Sequence, residues 1–96
     1  MTRDDILIFL RDNKSVIELE FGVTSIGLCG SYARNEAAES SDIDIVVEML
    51  PTRIFRNFMG LEQFLARSFS KRIDLGIKSS LKEYVKKRIE KDIIYV

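Results

Sequence analysis

A small mixed β-sheet with helices packed on it, in the α/β (α+β) class, is the fold expected from this amino-acid sequence. Short β-branched runs alternate with longer stretches of helical spacing, and glycine, serine and proline punctuate the joins. Apolar residues make up 46% and charged residues 31% of the chain, a balance that supports a packed core and argues against disorder. Its 96 residues suit a single domain, 1–96, without room for a separate substrate domain.

The first helix is expected in "TRDDILIFL", where Asp5 stands three residues after Thr2 in a variant of the capping box and Ile6, Phe9 and Leu10 share a face. A second helical stretch in "SVIELE" ends at Gly22, which tolerates a left-handed conformation. "VTSIGLC" reads as a strand broken by Gly30-Ser31, and "IDIVVEM" as a second strand stopped by Pro51, which cannot donate to a ladder. In "PTRIFRNFMGLEQFLARSF", Ile54, Phe58, Leu61 and Leu65 line up at helical spacing. "KRIDLGI" is the third strand. Ser80-x-x-Glu83 has the full capping-box pattern, and Leu81, Val85, Ile89 and Ile93 recur every four residues down a last helix.

Lys plus Arg equals Asp plus Glu at 15 each, so no overall basic field points to direct nucleic-acid binding. No apolar run approaches a membrane span and no basic-then-apolar leader opens the chain, so a cytoplasmic protein without membrane contact is expected. Cys29, the one cysteine, has no partner for an internal disulfide and reads as a small buried hydrophobe.

Asp42 and Asp44 sit at the mouth of the second strand. Side chains alternate along a strand, so both project to one side while Ile43 and Ile45 go to the other. Two like charges placed together cost free energy unless a cation shares them.

Gly30-Ser31, ten residues, then Asp42-Ile-Asp44 resembles the signature of the polymerase-β-type nucleotidyltransferase superfamily. Within it, "GLCGSYARNEAAESSDIDIVVE" most resembles the minimal nucleotidyltransferases, antitoxins paired with HEPN-domain toxins, and the likeness covers nearly the whole chain. The resemblance implies a polymerase-β-like fold, nucleotide phosphates held at Gly30 and Ser31, divalent metal at Asp42 and Asp44, and a third carboxylate, matched by Asp74, from a neighbouring strand. It also implies transfer of AMP from ATP to a tyrosine hydroxyl on a cognate HEPN ribonuclease toxin, within a hetero-oligomer. Alternatives are a non-catalytic antitoxin acting by occlusion and a small-molecule nucleotidyltransferase; intact acids favour the enzyme over the first, and the short chain disfavours the second.

Elementary chemistry agrees with these parts. Nucleotidyl transfer needs charge neutralised on the triphosphate and the attacking oxygen, which Mg2+ or Mn2+ between carboxylates can supply. With no histidine and a single cysteine, zinc is disfavoured. A Gly-Ser turn before a helical start exposes backbone N–H groups to phosphate. Asp74, between Ile73 and Leu75, leaves the sheet on the face opposite theirs and is the candidate to take the acceptor's proton, so three acids are expected to converge.

Each residue also has a plainer role open to it. Asp42 can cap a turn and Gly30 can be an ordinary turn glycine, but an acid within an Ile/Val strand, as at Asp44 and again at Asp74, is disfavoured by both burial and β propensity. Arg34 fits phosphate contact or solvated charge equally, and "KKRIEK" reads as the wet side of a helix. Asn35 stands where relatives usually carry glycine, and asparagine is the residue best able to replace it at positive φ. The apolar residues of the helix from Arg53 to Phe69, including Phe55 and Met59, spread over about 220° at roughly 100° per residue, beyond one core-facing stripe. Part of that helix is therefore expected to face another chain, the alternative being a wholly internal helix.

Overall fold

Thr2 caps helix α1 (Arg3–Asp12) through a reciprocal pair of bonds. Its hydroxyl accepts from the Asp5 N–H at 3.2 Å, and the Asp5 carboxylate accepts from the Thr2 N–H at 2.9 Å. Aspartate thus closes a full capping box in place of the usual glutamate. Helix α2 (Lys14–Phe21) ends at Gly22, left-handed at φ 66. The computed structural model describes all of residues 1–96, continuing with β1 (Val23–Cys29), the one-turn helix α3 (Gly30–Ala33), β2 (Ile43–Met49), α4 (Ile54–Phe69), β3 (Ile73–Ile77), α5 (Glu83–Glu90) and β4 (Ile94–Tyr95).

The sheet is mixed, in the order β3-β2-β1-β4. β1 runs antiparallel to β2 and β4, while β2 and β3 are parallel and joined through α4. Alternation along the strands sorts the residues by face. Ile26 and Leu28 of β1, Ile43, Ile45 and Val47 of β2 and Leu75 of β3 join the core against Ile6 and Leu10 of α1, Ile17 of α2, and Leu61, Leu65 and Phe69 of α4. Burying one such aliphatic side chain contributes about 1.5–3 kcal/mol, so this one-sided core is the main source of stability. The residues between them, Asp44, Val46, Asp74 and Gly76, turn to the opposite face, where α5 lies.

Helix α4 buries Leu61, Leu65 and Phe69 and half-buries Phe58 and Phe64, yet Phe55 is 82% exposed and Met59 38%. Its apolar girth thus exceeds what the sheet covers, and the helix is not wholly internal.

The C-terminal region departs from expectation. Ser80 does not cap the last helix, because Lys78–Ser80 forms a 3-10 turn whose Lys78 carbonyl takes the Leu81 N–H at 3.1 Å. Ser79 anchors that turn by donating to Glu48 Oε1 at 2.8 Å, and Lys82 is the N-cap with no side-chain bond. The helix also stops at Glu90, short of Ile93. The chain end is drawn onto the free edge of β1 as a fourth strand, with Gly27 opposite Tyr95, Leu28 opposite Ile94, and the Val96 N–H on the Ile26 carbonyl at 3.1 Å.

Candidate active site

β1 delivers the chain to Gly30, which takes φ 75, a backbone conformation that side chains rarely adopt. The position is closed sterically as well, since a Cβ built there would stand 1.9 Å from Asp44 Oδ2 and 2.8 Å from its Cγ. The turn therefore lies directly against the Asp44 carboxylate. Ser31 follows in α3, whose first-turn N–H groups have no intrahelical acceptor. Asn35 takes φ 61 at the end of this segment, the conformation expected of a residue replacing glycine.

Parallel pairing sets Asp44 directly beside Asp74. Both line a cleft of about 470 Å³ together with Gly30 and Ser31. Burial, then the negative charges of Asp74 and Asp42, raise the Asp44 pKa above the ordinary carboxylate value, with Arg34 offsetting only part. No cation forms an ion pair with Asp44 or Asp74. Asp42 is placed differently. It precedes the first paired residue of β2, its carboxylate lies 4.0 Å from Arg72 Nε, and it is outside the cleft lining. The strand pleat directs Asp44 and Asp74, whereas the loop directs Asp42. Two acids thus meet where three were expected, and no three His, Cys, Asp or Glu side chains stand together as a ready metal cage. The donor chemistry nonetheless fits a hard divalent cation, because unpaired carboxylates from adjacent strands repel each other and Cys29, the one soft side chain lining the cleft, is held as a neutral thiol.

Cys29, opposite Asp44 across the β1–β2 pair, is buried and donates its thiol weakly to the Asp44 carbonyl at 3.6 Å. Burial, followed by the charges of Asp44, Asp74 and Asp92, pushes its pKa from 9.0 up to about 12, which keeps it a neutral packing group.

The far wall of the cleft comes from α5 and its flanks through Leu81, Val85, Arg88, Ile89 and Asp92. Sequence reasoning placed Leu81, Val85 and Ile89 at four-residue spacing along a last helix and assigned none of this wall to the site. Arg34 also lines the cleft and ties the two walls together, its guanidinium donating to Glu36 at 2.9 Å and Asp92 at 3.2 Å.

The sequence model of the family described as "Nucleotidyltransferase domain" matches residues 9–96. The chain belongs to this family. As a nucleotidyltransferase it is an enzyme that takes a nucleotide as substrate. Protein adenylyltransferase MntA of Thermococcus cleftensis is 38% identical over 96 residues, covering 100% of this chain and 97% of that protein. A Methanocaldococcus jannaschii protein, provisionally named a protein adenylyltransferase, is 44% identical over 96 residues, covering 99% and 98%. Among solved structures, one provisionally described as a minimal nucleotidyltransferase superposes with a TM-score of 0.83 at 22% identity, covering 98% of this chain and 95% of that one, and supports the fold. The crystal structure of a toxin–antitoxin with AMP-PNP gives a TM-score of 0.70 at 25% identity, covering 99% of this nucleotidyltransferase and 72% of the other chain. No helix here is long and apolar enough to cross a membrane.

Proposed function

We propose that this nucleotidyltransferase transfers AMP from ATP to a tyrosine hydroxyl of a cognate HEPN ribonuclease toxin and thereby neutralises it, acting in the cytoplasm as a single minimal domain, 1–96. The observation that carries the proposal is the Asp44–Asp74 pair, set side by side without a counter-cation and packed against the Gly30 turn. Relatives named protein adenylyltransferase, and a similar fold solved in a toxin–antitoxin with AMP-PNP, support the acceptor class and the partner.

In this scheme Gly30 and Ser31 bind the phosphates through backbone N–H groups and the serine hydroxyl. Asp44 and Asp74, joined by Asp42 from the adjoining loop, would hold Mg2+ or Mn2+. When bound, the metal neutralises charge on the phosphates and on the attacking oxygen. The acceptor oxygen bonds to the α-phosphorus, the bond to the β-phosphate bridging oxygen breaks, and pyrophosphate leaves. The hydroxyl proton passes to the Asp74 carboxylate and from there to water. Exposed Phe55 and Met59 of α4 supply apolar surface for the toxin in a hetero-oligomer.

The test is Asp74→Asn, with growth rescue run beside intact-mass measurement of the toxin. The variant loses a base and a metal ligand but keeps α4 unchanged, so it should still bind the toxin, add no AMP and fail to rescue. Phe55→Asp should instead weaken association first, because burying an unpaired charge is costly. Rescue by Asp74→Asn with no mass added would assign neutralisation to occlusion and sink the enzymatic account.

A further inference from the structure

The aliphatic part of the cleft wall has no role in the chemistry described so far. Leu81, Val85 and Ile89 recur at four-residue spacing through α5 and its N-terminal flank, which places them on one face. All three are half-buried, and none is among the half-buried apolar residues packed against the core. Helix α5 has no fully buried residue, so this stripe is a surface of the cleft rather than an extension of the core. It begins over β3, where a Cβ added at Gly76 would lie 3.5 Å from Leu81 Cδ2, two residues beyond Asp74. Polar side chains on this wall are Arg88 and Asp92, and Asp92 is already held by Arg34.

A nucleoside triphosphate has two chemically opposed ends, a polyanion and a flat base with apolar faces. The cleft has matching ends within about 470 Å³, a volume in the range of ordinary small-molecule sites. With the phosphates at Gly30 and Ser31, as proposed above, the stripe supplies Leu81, Val85 and Ile89 of the apolar lining left for the base, the remainder being Cys29, Ile45 and Val46 on the two strands that carry the turn and Asp44. We propose that Leu81, Val85 and Ile89 form the platform on which the donor nucleobase packs, and that they hold it by apolar contact without reading its hydrogen-bonding edge. Adenine and guanine differ in edge groups and scarcely in the apolar faces they present, so such a platform treats them alike. A strong base preference would need donors and acceptors from outside α5.

The proposal is tested by titration calorimetry with Mg2+ on the full chain, comparing ATP, GTP and inorganic tripolyphosphate. On the wild type, ATP and GTP should bind within about threefold of each other, and both more tightly than tripolyphosphate, because burying the base adds apolar contact. The double variant Val85→Ser, Ile89→Ser removes apolar surface from half-exposed positions without adding charge. It should weaken both nucleotides about tenfold and leave tripolyphosphate unchanged, which also serves as the check on folding. Unaltered ATP affinity in the double variant would place the base elsewhere. Equal loss of tripolyphosphate would reduce the stripe to a structural role, and a preference of about 100-fold between ATP and GTP would show that the edge is read. If tripolyphosphate fails to bind the wild type while ATP still weakens in the variant, the platform stands and the phosphate assignment to Gly30 and Ser31 falls.

Discussion

Gly30→Ala is the smallest change that tests the core of the site, since it adds one methyl group. Two separable effects are expected. The backbone at φ 75 is unfavourable for any residue with a Cβ, at roughly 1–2 kcal/mol. For a domain of this size that lowers Tm by roughly 10 °C. The second effect is local. The added Cβ would stand 1.9 Å from Asp44 Oδ2 and 3.0 Å from Asp44 Cβ, far inside contact distance, so the carboxylate must rotate away. Rotation of a short side chain costs only about 1 kcal/mol, but it displaces a proposed metal ligand by more than about 1 Å, enough to slow transfer about 100-fold. Thermal unfolding and single-turnover transfer of labelled AMP, on the same preparation well below Tm, separate the two. A wild-type transfer rate in Gly30→Ala would refute the claim that the turn positions Asp44.

Other residues give further tests. Asp44→Asn should abolish transfer yet leave the metal-free protein at least as stable as the wild type, since the neutral amide removes the cost of burying a charge and then the repulsion from Asp74 and Asp42; thermal melts in chelator read this directly. The Cys29 thiol, raised from 9.0 to about 12, binds its proton more tightly folded than unfolded, so stability is intact below pH 9 and declines as pH rises from 9 toward 12. Denaturant titrations should show that decline and its reduction in Cys29→Ala. Arg53 precedes α4 at φ 51 with no side-chain cap, so Arg53→Gly should stabilise the fold by about 1 kcal/mol in urea unfolding.

Much of this protein was determined by sequence alone wherever a local rule acts on neighbouring residues. The bounds of β2 followed from a β-branched run ending before Pro51. The cap at Thr2 followed from an acid three residues on, and the left-handed Asn35 from asparagine's tolerance of that conformation. Asp44 and Asp74 stood out because an acid is costly inside an apolar strand unless something uses it. The tertiary structure decided what depends on distant partners. Four-residue spacing from Leu81 to Ile93 suits a helix, but nothing local reveals that the free edge of β1 can take up the chain end. Gly27 lies beneath Ile93 there, and an added Cβ would meet its Cγ1 at 2.9 Å. Ladder bonds to an otherwise unpaired edge outweigh one more helical turn. For the same reason the stripe on α5 became a cleft wall rather than core: periodicity tells which residues share a face, and only the packing of the whole chain tells what that face meets.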